Sequence, residues 1–379
     1  MKILHTISGL NVNSGGPTSC TYNLIKELRR NGVEADVLTI KPRAGTGKIV
    51  GTDHFIKAVE NDARTPYEYS KNFKLHLESN TNYELYHGNG LWTYPTHITA
   101  KIARKFGKPC IIAPHGMLYP QGLAVSPFKK KLALTLFQRH DLETAVCLQA
   151  TCLDELQHIR ACNLKTPVAI IPNGLPVSTD LIPRLKTNNT RRFAFVGRIN
   201  RIKNIDRLLV AWQKLGNKTR DCELLIIGEG DEIYKNELLA YVATHHLENV
   251  HFTGFISGDA LSRTVRTLDY QVLPSKSENF GMVVPEALIL GVPVIASTGT
   301  PWKELDTYRC GWWIANDPDT LADALHAAIH TSETERLAMG ERGRTLVMEK
   351  YSIESVSHNM IALYKWILEG GSMPEFISL

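Results

Sequence analysis

No stretch of this 379-residue chain stays apolar for the roughly 20 residues that crossing a bilayer requires. The longest run, Met282 to Ala296, is interrupted by Pro285, Glu286, Gly291 and Pro293. The N-terminus, Met1 to Ile7, is too polar and short for a signal peptide and reads as a first strand. Cysteines number seven, an odd count with no Cys-x-x-Cys pair, so free thiols in a reducing compartment are expected and a structural zinc site is not. A net charge of +5 is too small to imply nucleic acid, and no basic stretch interleaves with aromatics. Such a balance suits anionic substrates or an anionic membrane surface. There is no G-x-G-x-x-G dinucleotide fingerprint, no Ser-His-Asp set, and no Asp-x-Asp at the strand ends that carry candidate residues. Internal repeats and low-complexity segments are absent.

What remains is an alternation of short apolar strands and amphipathic helices, long enough for two cores. In the first half, Lys2–Ile7, Val33–Ile40, Glu84–His87, Pro109–Pro114, Ala145–Ala150 and Val168–Pro172 read as strands, with helices such as Pro95–Lys105 between them. Thr151 with Asp154 offers a capping box for a helix through Ile159. A polar, proline-containing linker, Leu175–Asn189, follows Pro172-Asn173-Gly174. The pattern then restarts with strands Phe193–Val196, Glu223–Ile227, Val250–Phe252, Tyr270–Leu273 and Val292–Ala296. Asn204 caps a helix whose core face is Ile205, Leu208, Leu209, Trp212 and Leu215. Repeated β-α units predict two doubly wound parallel sheets, with ligands outside the carboxyl ends of the strands. The expected domains are 1–172, a linker 173–189, 190–352, and a C-terminal helix and tail 353–379 whose helix spans about Ile353–Leu368.

The most informative stretch is Leu273-Pro-Ser-Lys-Ser-Glu278-Asn-Phe-Gly281-Met-Val-Val-Pro-Glu286-Ala. It reads as a strand end, a glycine turn and a short helix opening near Pro285, where proline suits the first helical turn. Amides from Phe280 to Val283 would then form an anion site at a positive helix terminus. Glu278 and Glu286 bracket it, and carboxylates accept hydrogen bonds from neutral hydroxyls. A diphosphate flanked by sugars, as in a nucleotide-sugar, fits both demands. A solvated loop acid plus an acid favoured by the helix dipole would also account for the pair.

Other strand ends carry further candidates. Gly15-Gly16-Pro17-Thr18 lets backbone approach a ligand at a helix start, although a tight turn alone would need the same glycines. His115, directly after a strand, could offer a neutral imidazole to a hydroxyl or could be structural. His87-Gly-Asn89-Gly is a candidate acceptor-side loop. Arg198 and Lys203 follow the first strand of the second half, and two cations there would stabilise a departing diphosphate without a metal.

Pro-Ser-x-x-Glu278-x-Phe-Gly-x-x-x-x-Glu286-Ala resembles the E-x7-E signature of retaining glycosyltransferases of family four, which have the GT-B fold. The resemblance extends over nearly the whole chain. It implies two Rossmann-like domains facing a central cleft, an acceptor domain first and a nucleotide-sugar domain second, with the last helix crossing back to the first. It implies that Arg198 and Lys203 bind the diphosphate, Glu286 the ribose, and Glu278 the hexose near its 3- or 4-hydroxyl, with His115 on the transferred sugar. Gly15, Gly16, Asn279, Phe280, Gly281, Met282 and Val283 would lie along the donor, and Gly254 and Phe255 would cradle the base. Gly16, Thr18, His87, Asn89 and His115 would form the acceptor side. Family members often have glycine after the lysine; here it is Asn204, read as a helix cap.

No cofactor and no metal is expected, and the family is thought to retain anomeric configuration by front-face displacement. Pro-His115-Gly-Met-Leu and Gly299-Thr-Pro301-Trp302-Lys303-Glu304-Leu305 are similar to phrases in bacterial O-antigen and capsule transferases. The expected partners are a nucleotide-sugar donor, with UDP favoured and GDP-mannose open, and a polyprenyl-diphosphate-linked saccharide. Ser126 to Arg139 reads as a basic, apolar-faced helix; Lys129, Lys130 and Lys131 either face water or rest on an anionic inner membrane from the cytoplasmic side. A GT-B nucleotide-sugar 2-epimerase and a non-catalytic nucleotide-sugar binding module are the competing readings.

Overall fold

A computed structural model describes residues 1–11, 16–42, 47–62, 65–177 and 190–379. Most of the expected linker, 178–189, and Gly15 lie outside the described residues. Strand-helix alternation resolves into two units, Met1–Pro176 with Ser352–Leu379, and Val177–Tyr351.

The first unit holds strands β1 (Lys2–Gly9), β2 (Glu34–Ile40), β3 (Ile56–Val59), β4 (Leu85–Asn89), β5 (Cys110–Ala113), β6 (Cys147–Ala150) and β7 (Val168–Ile170). The second holds β8 (Arg191–Val196), β9 (Cys222–Ile227), β10 (Val250–Gly254), β11 (Tyr270–Leu273), β12 (Val294–Ser297) and β13 (Gly311–Ile314). A last strand, β14 (Ile377–Ser378), returns to the first unit. The first sheet runs β14-β7-β6-β5-β4-β1-β2-β3 and the second β10-β9-β8-β11-β12-β13. Every pairing is parallel except β14 on β7.

Central strands are buried on both faces, as a sheet covered by helices requires. β4 is buried throughout and β11 likewise. In each sheet the first strand lies between strands reached in opposite directions: β1 between β2 and β4, β8 between β9 and β11. Such a reversal opens a crevice at the carboxyl ends, the usual ligand position in doubly wound sheets. The helix Ile205–Leu215 buries Ile205, Leu208, Leu209, Trp212 and Leu215, the face expected from its spacing.

The helix Ile353–Glu369 completes the first unit's core. Val356, Met360, Leu363 and Tyr364 pack with Ile25 and Leu28 of the helix Gly16–Arg30. The Tyr364 hydroxyl lies 2.9 Å from His5 Nε2 and 3.0 Å from His87 Nδ1. His5 and His87 sit opposite each other on β1 and β4, their rings stacked at 4.6 Å. Burial lowers His5 to about 3 and holds His87 well below the usual histidine range, so both are neutral.

The basic segment is helical and continues to Thr144, with a π turn inside it: Pro127–Ala133, Leu134–Gln138 and Arg139–Thr144 follow one another without a break. One local expectation fails. The helix Leu153–Ala161 is capped by Cys152, whose sulfur accepts from the Glu155 amide, not by Thr151 with Asp154. The Thr151 hydroxyl donates instead to the buried Glu155 carboxylate at 2.8 Å.

Candidate functional site

In the second unit, two loops leave the carboxyl ends of β8 and β11, neighbours at the sheet's reversal. Arg201–Lys203 forms a single 3-10 turn, and Asn204 follows at φ 49°. That left-handed backbone explains why glycine would serve at this position and why asparagine is tolerated. Asn204 does precede the helix Ile205–Leu215, but its side chain makes no cap bond; Nδ2 donates to Asn316 Oδ1 at 3.1 Å instead.

Lys203 Nζ pairs with Glu278 Oε1, both side chains being largely buried, at 18% and 13% exposure. The same oxygen accepts from Ser275 Oγ at 2.7 Å. Lys276 N donates to Ile202 O at 2.7 Å, joining the two loops through backbone as well. The structure thus unites Lys203 and Glu278, 75 residues apart in sequence. Arg198 is exposed, with no ion-pair partner among the described residues. Arg201 is turned away onto Glu237, at 2.6 and 2.8 Å, and lies over the Tyr234 ring.

Gly281 turns the chain at φ 77°, where a Cβ would also press on Leu273 at 3.3 Å. The helix that follows, Val283–Ile289, is only seven residues long, so the positive end at Gly281–Val283 is that of a short dipole. Asn279, Met282 and Val283 are half-buried beside this turn. Phe280 enters the anion-site reading through its backbone amide. Its ring is buried against Trp302 and Tyr351, and its carbonyl accepts from Trp302 Nε1 at 2.5 Å, which leaves only backbone for a ligand.

Glu286 stands in the first turn of that helix, its amide donating to the Met282 carbonyl at 3.1 Å, and its carboxyl makes no hydrogen bond or ion pair among the described residues. Burial raises its carboxyl to about 7. An acid raised in this way gains from hydroxyl donors that would restore its charge. Gly254 (φ 78°) ends β10, and Phe255 beyond it is 72% exposed.

In the first unit, His115 follows β5 at φ 52°, a left-handed conformation that is costly for a histidine. Buried Glu155 secures the turn by accepting from the Gly116 amide at 2.5 Å, while Thr151 N and Oγ1 bond its other oxygen. Nothing in the sequence marked Glu155 for this task; only proximity across the fold reveals it. His115 Nε2 lies 3.0 Å from Asn89 Oδ1. Since Asn89 Nδ2 donates to the carbonyls of Thr6 and His87, the oxygen faces the ring and Nε2 carries the proton. Nδ1 is then a buried acceptor without a partner. Burial lowers the imidazole to about 4, so it is neutral at physiological pH.

Two acceptor-side expectations do not hold as surface groups. His87 is fully buried because β4 continues to Asn89 in the sheet centre, and it serves the Tyr364 contact. Thr18 is buried, its hydroxyl donating to the Gly9 carbonyl at 3.4 Å. Asn89 is buried too, its Oδ1 facing His115 Nε2. Gly16 opens its helix as read.

Along the basic segment, Val125, Phe128, Leu132 and Leu136 are 65%, 88%, 59% and 68% exposed. Lys129 and Lys131 are exposed beside them. Lys130 differs from expectation: it turns inward, donating to the Gly122 carbonyl and lying 5.7 Å from the Trp92 ring centre. Among the described residues no helix is long and apolar enough to cross a membrane, and no cluster of His, Cys, Asp or Glu could hold a metal ion.

Residues 15–174 match the model of the family described as Glycosyl transferase 4-like domain, and residues 179–346 match that of Glycosyl transferases group 1. An uncharacterized glycosyltransferase of Methanocaldococcus jannaschii is 28% identical over 185 residues, 48% of this chain and 46% of that protein. An O-antigen biosynthesis glycosyltransferase of Escherichia coli is 30% identical over 135 residues, 35% of this chain and 36% of that protein. The chain spans about half the length, or less, of such curated relatives. Among solved structures, a sucrose-phosphate synthase from Thermosynechococcus elongatus superposes with TM-score 0.78 at 20% identity, covering 98% of this chain and 100% of the other. The Anabaena protein HepE, solved with UDP-glucose, superposes with TM-score 0.72 at 16% identity, covering 96% and 99%. At these identities the structures speak to the fold alone.

Proposed function

From a chain that belongs to the glycosyltransferases of GT-B fold, its first half a 4-like domain and its second a group 1 domain, we propose a retaining, metal-independent transfer of a hexose or N-acetylhexosamine from a nucleotide-diphosphate sugar. The observation that carries this reading is the Lys203–Glu278 pair at the second sheet's reversal. Lys203 and exposed Arg198 would hold the diphosphate and stabilise the charge that grows as the glycosidic bond breaks. Glu286 would accept from the ribose hydroxyls and Glu278 from the hexose. In the first unit, His115 Nδ1, a buried acceptor without a partner, would accept from a sugar hydroxyl. The leaving phosphate would take the acceptor's proton on the face it departs from, so configuration is retained.

UDP is the favoured nucleotide, supported by the UDP-glucose held in the Anabaena structure, with GDP-mannose second. The proposed acceptor is a sugar hydroxyl of a polyprenyl-diphosphate-linked oligosaccharide in bacterial surface polysaccharide synthesis, supported by the O-antigen relative. Val125, Phe128, Leu132 and Leu136 with Lys129 and Lys131 form a face suited to the cytoplasmic leaflet of the inner membrane. Residues 115–140 contain no acidic side chain to oppose it.

Incubation with a panel of UDP-, GDP-, ADP- and dTDP-sugars in excess EDTA, with and without lipid-linked acceptor, tests the reading. One donor should be consumed, slowly by water and faster with acceptor, giving an axial or equatorial product that matches the donor. An epimerised donor would instead indicate the 2-epimerase, and binding without turnover a non-catalytic module.

A further inference from the structure

Lys203 and Glu278 stand on separate loops, and more than their own attraction fixes their separation. Starting at Lys203, the next residue, Asn204, donates from Nδ2 to Asn316 Oδ1 at 3.1 Å. Asn316 Nδ2 donates to the Ser275 carbonyl at 2.9 Å. Ser275 Oγ donates to Glu278 Oε1 at 2.7 Å, and Glu278 accepts from Lys203 Nζ. The bonds close a ring through three loops, those after β8, β11 and β13. Arg207 grips the Asn316 carbonyl and Ser297 Oγ the Ser275 carbonyl, at 2.5 Å, so the members are themselves held. Asn204 is 6% exposed and Ser275 0%.

We propose that Asn204 and Asn316 are positioning residues: their paired side-chain amides close a hydrogen-bonded ring that sets Lys203 and Glu278 at one separation across the sheet's reversal. The proposal rests on the transferase reading for its kinetic consequence, but not for its structural one. Where this backbone would accept glycine for its φ, asparagine supplies the same conformation and adds a bond. Without the amide, the loop after β8 keeps its turn but loses its side-chain tie to the loop after β13. The cation and the acid then no longer share a fixed frame.

Asn204→Gly retains the left-handed backbone and removes only the amide; Asn316→Ala removes the other partner, and the double variant closes a cycle. Competitive acetylation read by mass spectrometry reports how freely Lys203 Nζ leaves Glu278, with no nucleotide-sugar needed. Labelling of Lys203 should rise several-fold in either single variant and no further in the double variant. With the donor identified, kcat should fall by about tenfold or more in each while donor affinity stays within about twofold, the pattern of a misplaced catalytic group. Lys203 labelling equal to wild type, effects that multiply in the double variant, or unchanged kcat would each overturn the proposal. A wild type that turns over no donor would defeat the transferase reading, and the labelling arm would still decide this one.

Discussion

Raising pH from 6 to 8 should strengthen donor binding through Glu286. Burial lifts this carboxyl from 4.5 to about 7, so in free protein roughly one molecule in eleven is ionised at pH 6 and ten in eleven at pH 8. A ribose diol donates two hydrogen bonds, and only the carboxylate accepts both. Binding should therefore release a proton and be about tenfold weaker at pH 6 than at pH 8. Calorimetry with an intact nucleotide-sugar isolates the effect, because its diphosphate has no proton to lose in this range. Glu286→Gln should bind weakly at both pH values without the slope. The same shift has a stability counterpart. A raised carboxyl pKa favours the folded state up to 4.5 and withdraws that favour as pH climbs through 7. Glu286→Gln should thus stabilise at pH 8 by up to about 3 kcal/mol, from 1.36 kcal/mol per pKa unit, and change little at pH 4. A pH-independent donor affinity, or a slope that persists in Glu286→Gln, would refute the assignment of Glu286 to the ribose.

Lys203→Ala should lower kcat more than donor affinity, since leaving-group charge peaks in the transition state; equal losses in steady-state kinetics and calorimetry would mean ground-state binding only. Phe128→Asp with Leu136→Asp should abolish flotation with anionic liposomes at physiological salt while leaving the unfolding midpoint unchanged, because both side chains are exposed. Tyr364→Phe should destabilise the first unit by about 1–3 kcal/mol in urea unfolding, the cost of leaving buried His5 and His87 nitrogens unpaired.

Strands of mostly apolar character, such as Phe193–Val196 and Tyr270–Leu273, were legible because burial on both faces writes itself into composition. Ile56–Val59, half-buried at a sheet edge with Lys57 inside it, carries no such signature. Gly311–Ile314 opens on a glycine whose Cβ would meet the Val294 carbonyl at 2.0 Å, a packing demand that resembles a turn in sequence. Ile377–Ser378 is too short to show periodicity and pairs antiparallel. At the candidate site, residue types at strand ends pointed to Lys203, Glu278 and His115. Which way each side chain turns was not written there. Lys130 found a carbonyl and an indole, His87 a tyrosine from the far end of the chain, and Asn204 a partner 112 residues away.

Tyr364 reaches His5 across 359 positions of sequence. A ribosome delivers the whole second unit between the two pieces that this contact joins. The first sheet must therefore wait, its His5–His87 face and the groove along Ile25 and Leu28 uncovered, until residues beyond 352 emerge. Non-local closure of this kind slows folding and exposes apolar surface meanwhile. During synthesis, the unit made second is thus the one able to finish first.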